Sequence, residues 1–196
     1  MGAYLKPLTA YCGAIGLAAS VRCDPGEFVH DFFASRLKDQ NYLKSWIESG
    51  TRLRRWLRNG LHLYSHERRR SFAKDRVAGH DESNEPSQTT QEAEQLFERT
   101  WALAALELAM SETKADLEKR GRMVEWEIFW AHHIEGVAYA PLGERFGLTS
   151  GQAGQRAFAV AESLRNALAV VLRQDGAIGS ELDAEVRAMM EALGGR

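Results

Sequence analysis

The chain has 196 residues, a hydrophobic content of 44% and a net charge of −2, which is enough apolar material for one ordinary domain or two small ones. No apolar run approaches the roughly 20 residues that cross a bilayer, and polar and glycine interruptions make the N-terminus unlike a signal peptide. We therefore expect no membrane insertion and a cytoplasmic location. Cys12 and Cys23 lack partners at zinc-ligand spacing and are expected to be reduced thiols.

The first helical pattern is aromatic and acidic. Apolar residues recur at the spacing of one helix face, at Phe28, Phe32 or Phe33, and Leu37. The three phenylalanines cannot all point in one direction, so at least one is expected to pack internally. Asp31 and Arg36 are the residues we expect to be exposed on this helix.

The next segment, from Thr51 to Arg76, is strongly basic. Nine arginines and lysines against two acidic residues give it a charge of +7, whereas the whole chain carries −2. Apolar residues interleave with this charge at helical spacing, at Leu53, Trp56 or Leu57, Gly60 or Leu61, and Tyr64. One face can therefore pack while the other presents guanidinium groups to an anionic partner, and nucleic acid is the first candidate. A solvated amphipathic helix is the alternative.

Residues 79–91 contain no large apolar side chain and collect Gly, Pro, Ser and acidic residues, which predicts a flexible linker. Helical periodicity resumes after it, at Phe97, Trp101, Ala104 or Ala105, and Leu108. No β-strand pattern is visible. The sequence therefore predicts an all-α fold of two small helical modules, 1–78 and 92–173, joined by the flexible linker.

The chain closes with an amphipathic extension at 174–196. Its apolar residues fall on one stripe, at Leu182, Val186, Met189 or Met190, and Leu193. Such a stripe has to be buried against another part of the molecule.

A helix-turn-helix pattern precedes that extension. The segment Tyr139 to Phe146 predicts a short helix with Pro141 in its first turn, and Gly147 permits the left-handed conformation that ends it. Thr149 can then cap a second helix over residues 150–173. The exposed polar residues at the start of that helix are the candidates for reading bases in the major groove, namely Ser150, Gln152, Gln155 and Arg156. A helical hairpin without DNA binding is the alternative.

The order of these segments resembles the extracytoplasmic-function type of bacterial sigma-70-family factor. The resemblance covers residues 26–173 and rests on four segments: GEFVHDFFASRLKDQNYLKSW, TRLRRWLRNGLHLYSHERRRSFAKDR, EAEQLFERTWALAALE and YAPLGERFGLTSGQAGQRAF. It implies that module 1–78 binds core RNA polymerase and the promoter's −10 element, and that module 92–173 reads the −35 element. It also implies a polymerase-binding set on the first helix: Glu27, Phe28, Asp31, Phe32 and Arg36.

For the −10 region, the resemblance assigns roles along the basic helix. Trp56 would stack a displaced base, with core packing at helical spacing from Leu53 and Gly60 as the alternative. Asn59 and His62 would contact an extruded nucleotide. Arginines would hold phosphates, which position DNA without specifying sequence; they are Arg52, Arg54, Arg55, Arg58, Arg68, Arg69 and Arg70.

The second helix of the helix-turn-helix departs from the family pattern, because its segment 151–168 offers only Arg156 and Arg165 against Glu162. We expect weak DNA affinity there. The leading interpretation is therefore a sigma factor whose partners are core RNA polymerase and promoter DNA. The sequence leaves open whether an anti-sigma protein is a further partner. A degenerate sigma-like interaction protein that binds polymerase or an anti-sigma protein without −35 reading is the alternative, and a stand-alone repressor is disfavoured by the position of the basic charge.

No enzymatic pattern emerges from the sequence. His62 and His66 are four residues apart, but the flanking arginines disfavour a bound cation. His132 and His133 with Glu135 lack the spacing of a zinc protease motif. We expect a protein that is not an enzyme and has neither cofactor nor metal.

Overall fold

A computed structural model describes residues 2–75 and 90–194 of the chain, and within these ranges the regular structure is helical and contains no strand. The all-α fold class is thereby confirmed. Within the same ranges, no helix combines the length and the apolarity needed to cross a membrane. The helices are α1 Gly2–Ala14, α2 Pro25–Arg36, α3 Gln40–Ser49, α4 Leu53–Asp75, α5 Thr90–Lys119, α6 Met123–His133, α7 Tyr139–Phe146, α8 Ser150–Gln174 and α9 Leu182–Gly194, with short 3-10 turns at Ala19–Val21 and Gly179–Glu181.

The chain divides into two compact units. Unit 1 comprises Met1–Ala104 and Arg173–Arg196, and unit 2 comprises Ala105–Leu172. This division differs from the predicted modules, because the predicted start at residue 92 falls inside α5 and the extension 174–196 belongs to unit 1. Residues 79–89 of the predicted linker lie outside the described residues, as do 76–78 of the first module and 195–196 of the extension, while Thr90 and Gln91 begin α5.

The core of unit 1 contains α1, α2, α4 and the first half of α5. Its largest fully buried side chains include Leu8, Phe28, Phe32, Leu61 and Phe97, each stabilising the fold by about 1.5–3 kcal/mol through burial. The predicted apolar face of the basic helix is thus confirmed, and Phe97 explains why the start of α5 belongs to this unit. The side chain of Asp24 caps α2 by accepting hydrogen bonds from the amides of Gly26 and Glu27, at 2.8 and 3.2 Å.

A glycine sets the distance between α4 and its neighbours in unit 1. A Cβ atom on Gly60 would lie 2.3 Å from the Tyr42 hydroxyl and 3.3 Å from the Phe32 ring. The absent side chain therefore allows α4 to approach α2 and α3 closely.

The C-terminal stripe is only partly buried. Of the two methionines that could continue it, Met189 is buried and Met190 is 59% exposed, while Leu182, Val186 and Leu193 are half-buried. Helix α9 belongs to unit 1 and packs there through Met189.

Unit 2 has its own core, which α5 to α8 contribute. The fully buried members include Ile128, Ala153, Ala157 and Val160, with Leu142 almost fully buried. Because Ala153, Ala157 and Val160 lie on one face of α8, that helix presents its other face to solvent.

Candidate nucleic-acid interface

The basic helix α4 contains an arginine at the centre of an ion-pair network. The Arg54 side chain is only 6% exposed; its guanidinium lies 4.2 Å from the centre of the Trp101 ring. It donates hydrogen bonds to three carboxylates: Asp175, Glu98 at 2.9 Å and Glu185 at 2.8 Å. A guanidinium enclosed in this way by protein carboxylates is not available to a DNA phosphate.

Asp175, which directly follows α8, forms hydrogen bonds with the N-terminus of α4. Its carboxylate accepts from the Arg54 amide at 2.9 Å and from the Tyr4 hydroxyl at 3.1 Å, and its backbone carbonyl accepts from the Leu53 amide at 2.9 Å. Asp175 therefore caps the N-terminus of α4, although it lies 121 residues further along the chain. Burial raises the pKa of the Asp175 carboxyl above its ordinary value, and the Arg54 guanidinium opposes that shift.

A second arginine, Arg52, is held by the segment that follows α8. Its Nε donates to Glu185 and its Nη2 to Glu181, both at 2.7 Å, and its Nη1 donates to the Gly176 carbonyl at 2.6 Å. Burial raises the pKa of Glu185, but hydrogen bonds from Arg52 and Arg54 outweigh burial and hold that pKa below its usual range. The hydrogen bond from Arg52 lowers the pKa of Glu181.

These shifts predict that acidification loosens α9. Because the folded pKa values of Glu181 and Glu185 lie below an unfolded value of about 4.3, their ion pairs contribute fully above that pH and are lost as the pH falls through the folded values. Hydrogen-exchange protection factors of 182–193 should therefore be lower at about pH 3.5 than at pH 7. The variant Glu181→Gln, Glu185→Gln should be less sensitive to this change, and equal protection of the wild type at both pH values would contradict the prediction.

Arg58 is also engaged within unit 1. It forms an ion pair with Glu94 at 3.3 Å, and its guanidinium lies 5.8 Å from the centres of the Tyr11 and Phe97 rings. Three of the arginines predicted to contact DNA, Arg52, Arg54 and Arg58, are thus neutralised by acidic side chains of the same chain. The sequence pattern does not distinguish them from exposed arginines.

Among the exposed side chains of α4, five form one continuous stripe. Exposed residues follow one another at three- or four-residue spacing, at Arg55, Asn59, Leu63, His66 and Arg70. We name these five residues the accessible stripe. Leu63 and His66 were not among the predicted DNA contacts, although the same helical spacing that selects Arg55 and Asn59 also selects them.

The other predicted contacts on α4 have mixed positions. Arg69 is exposed and Arg68 is partly buried. Trp56 is partly buried, with its ring centre 5.8 Å from that of Tyr42. His62 lies at the edge of the core, where its Nε2 is 2.7 Å from the Tyr11 hydroxyl, and burial lowers its pKa.

An open groove of about 1070 Å³ lies between α4, α5 and α9 within unit 1. Its charged lining mixes both signs, with Arg54, Arg55, Arg58 and Arg99 against Glu92, Glu94, Glu98, Glu185 and Glu191. A strongly anionic ligand is therefore not favoured inside the groove, and Arg55 is the one residue that belongs to both the groove lining and the accessible stripe.

The predicted polymerase-binding residues of α2 divide into buried and exposed members. Phe28 and Phe32 are in the core, at 1% and 0% exposure, so neither is available on the surface of the folded unit. Glu27 and Asp31 are exposed and lie one turn apart. Arg36 has a side-chain exposure of 22% and donates two 2.8 Å hydrogen bonds to Glu67, so it is partly covered, whereas the sequence predicted an exposed residue.

Unit 2 contains the helix-turn-helix geometry that the sequence predicts. Helix α7 ends at Gly147, whose φ of 66° is left-handed, and the Leu148 amide donates to the Gly143 carbonyl at 2.8 Å. A Cβ atom on Gly143 would lie 2.7 Å from the Leu148 carbonyl oxygen. The tight turn into α8 therefore depends on two glycines, of which sequence reasoning identified only Gly147.

The start of α8 is fixed by a reciprocal cap. The Thr149 hydroxyl accepts from the Gln152 amide at 3.2 Å, and the Gln152 side chain accepts from the Thr149 amide at 2.9 Å. This is a capping box. It engages the side-chain oxygen of Gln152, one of the predicted base-reading residues. Ser150 and Gln155 are exposed and Arg156 is partly buried.

The exposed face of α8 carries little net charge beyond its first turns. Phe158 is 64% exposed there, and Arg165 pairs with Glu162. Phe158 was not selected from the sequence, because a phenylalanine in an amphipathic helix is normally a core residue.

Among the described residues, no group of three or more His, Cys, Asp or Glu side chains is arranged to hold a metal ion. Comparison with known proteins gave no match among family models, curated proteins or solved structures.

Proposed function

We propose that this protein is a promoter-specificity factor of the sigma type, which binds core RNA polymerase and directs transcription initiation. The observation that carries the proposal is the helix-turn-helix of unit 2. Its capping box fixes the N-terminal end of α8, and Ser150, Gln152 and Gln155 are exposed there. In such motifs this end of the second helix enters the major groove.

The accessible stripe of unit 1 supports the same proposal. Arg55 and Arg70 form no ion pair with any described residue, so their charge is available to promoter phosphates. Asn59 lies between them and can hydrogen-bond to a base or sugar. The stripe thus replaces Arg54 and Arg58 as the −10 contact surface in our proposal.

In this proposal, polymerase would contact the exposed acidic pair Glu27 and Asp31 of α2. Both side chains are exposed. Because like charges one helical turn apart repel each other, the pair slightly destabilises the helix. A basic surface of polymerase would offset that cost.

A second function is favoured by the solvent face of α8. An exposed phenylalanine, Phe158, beside a neutralised Arg165–Glu162 pair suits a protein partner better than a phosphate backbone. In that case the protein binds polymerase or an anti-sigma protein without reading −35 DNA.

Transcription from randomised −35 elements distinguishes the two functions. With core polymerase and the full chain, the wild type should show a −35 preference, because Gln155 can pair bidentately with adenine and contribute about 1–3 kcal/mol of discrimination. Gln155→Ala should lose the preference at one position. The matched control is Asn166→Ala, an exposed amide about three turns further along the same helix, which should leave the preference unchanged. Polymerase binding without any −35 preference would support the interaction protein, and no polymerase binding would contradict both.

A further inference from the structure

Arg52 directly precedes α4, and its backbone carbonyl accepts a hydrogen bond from the Trp56 amide at 3.0 Å. It stands three residues before Arg55, the first member of the accessible stripe. Unlike Arg55, it is largely covered, with a side-chain exposure of 14%.

The segment that covers Arg52 occupies every nitrogen of its guanidinium. The three acceptors, Glu185, Glu181 and the Gly176 carbonyl, lie at 2.6–2.7 Å. Two carboxylates converging on one guanidinium present oxygen acceptors in the way that a phosphate does. The segment 175–194 is itself acidic, with five acidic side chains and one arginine.

We propose that segment 175–194 is an intramolecular competitor of nucleic acid for the basic side of α4, with Glu181 and Glu185 standing in for phosphates on Arg52. This inference rests on the proposed function, because it concerns the same nucleic-acid surface. With the segment docked, the Arg52 guanidinium is covered, whereas the accessible stripe is exposed. With Glu181 and Glu185 displaced, the Arg52 guanidinium becomes an additional cation at the N-terminal end of α4, while Arg54 stays paired with Asp175 and Glu98.

The order of release follows from the burial of each contact. Glu181 is 45% exposed, Glu185 15% and Asp175 0%. A polyanion can therefore displace Glu181 first, and the cap that Asp175 places on α4 need not be broken.

The test uses the full chain and a fluorescein-labelled 20-nucleotide single-stranded DNA, with the dissociation constant measured at several salt concentrations. Glu181→Gln, Glu185→Gln should bind severalfold more tightly than the wild type. Its salt slope should be steeper by about 0.7, the contribution of one additional phosphate contact on single strands. Equal binding and equal slopes would overturn the competition.

The matched control separates release of Arg52 from a simple change of net charge. Asp183→Asn, Glu191→Gln removes the same two negative charges from exposed positions of α9 that do not pair with Arg52 or Arg54. This control should bind with the wild-type salt slope, and an effect as large as that of Glu181→Gln, Glu185→Gln would overturn the proposal. In an Arg52→Gln background, the Glu181→Gln, Glu185→Gln change should add nothing.

A chain ending at Ala177 provides an independent variant, because it keeps Asp175 and Gly176 but lacks both glutamates. It should bind the DNA at least as tightly as Glu181→Gln, Glu185→Gln, and weaker binding by a chain that circular dichroism shows to be folded would overturn the proposal. Run-off transcription separates the two levels of failure. If the wild type initiates from promoters and all variants bind DNA equally, the competition is overturned and the proposed function stands. If the wild type binds neither polymerase nor DNA, the proposed function is overturned as well.

Discussion

Replacing Arg54 by alanine is expected to lower the free energy of unfolding by about 3–5 kcal/mol, the usual cost of removing one partner of a buried ion pair. Asp175, at 0% exposure, would lose its compensating charge, and Glu98 and Glu185 would lose a shared donor. The Trp101 ring would also lose the guanidinium that stacks on it. Urea denaturation of the full chain, followed by circular dichroism, measures the change.

Arg55→Ala is the matched control, since it removes an adjacent and chemically identical side chain. Arg55 is exposed and forms no ion pair with a described residue, so its loss should change stability by no more than about 0.5 kcal/mol. Equal destabilisation by the two variants would show that the Arg54 network contributes nothing beyond surface electrostatics.

A double variant tests the mechanism of the Arg54 effect. Because the large cost comes from leaving a buried carboxylate unpaired, Arg54→Met combined with Asp175→Asn should recover part of the stability lost in Arg54→Met alone. If the losses of stability in the two single variants simply add in the double variant, the cost of Arg54→Met comes instead from lost packing against Trp101.

The same pair of variants separates folding from DNA contact. Arg54→Ala should reduce promoter opening in proportion to the loss of folded protein, whereas Arg55→Ala should weaken it in a fully folded chain through a lost phosphate contact. The two neighbouring arginines would then affect transcription for different reasons, Arg54 through folding and Arg55 through DNA contact.

Local patterns explain what the sequence could predict. The buried face of α4, with Leu57, Leu61 and Tyr64, and the bounds of α7 follow from helical periodicity and from the special conformations that Gly and Pro adopt. These signals operate over a few residues, which is the range that a sequence pattern records.

Long-range contacts explain what the sequence could not predict. Arg54 and Asp175 are 121 residues apart in the chain, and nothing in the basic segment marks Arg54 as different from Arg55. The choice among Phe28, Phe32 and Phe33 likewise depends on which face meets α4, and the structure buries the first two. For the same reason the unit boundaries differ from the predicted modules, because the partners of α9 and of the start of α5 lie far away in sequence.

The helix-turn-helix provides the second large effect, from the addition of a single methyl group. Gly143→Ala would place a Cβ atom 2.7 Å from the Leu148 carbonyl oxygen, 3.1 Å from the Thr149 carbonyl carbon and 3.2 Å from the Ser150 amide nitrogen. All three are backbone atoms of the turn and cannot rotate away as a side chain can. We expect the free energy of unfolding to fall by about 1–3 kcal/mol because of overpacking. We also expect the −35 preference to be lost, because the turn sets the orientation of α8 relative to α7.

Gly151→Ala is the control, and its effect on stability should have the opposite sign. A Cβ atom there meets no atom within 4 Å, so alanine should stabilise the first turn of α8 by up to about 1 kcal/mol through its higher helix propensity. Hydrogen exchange of peptides from 139–160 in the full chain measures both changes locally. Faster exchange in Gly143→Ala and slower exchange in Gly151→Ala would show that the close approach at Gly143 holds the motif together. Similar exchange in the two variants would mean that the turn adapts to an added methyl group and that α8 is not rigidly aimed.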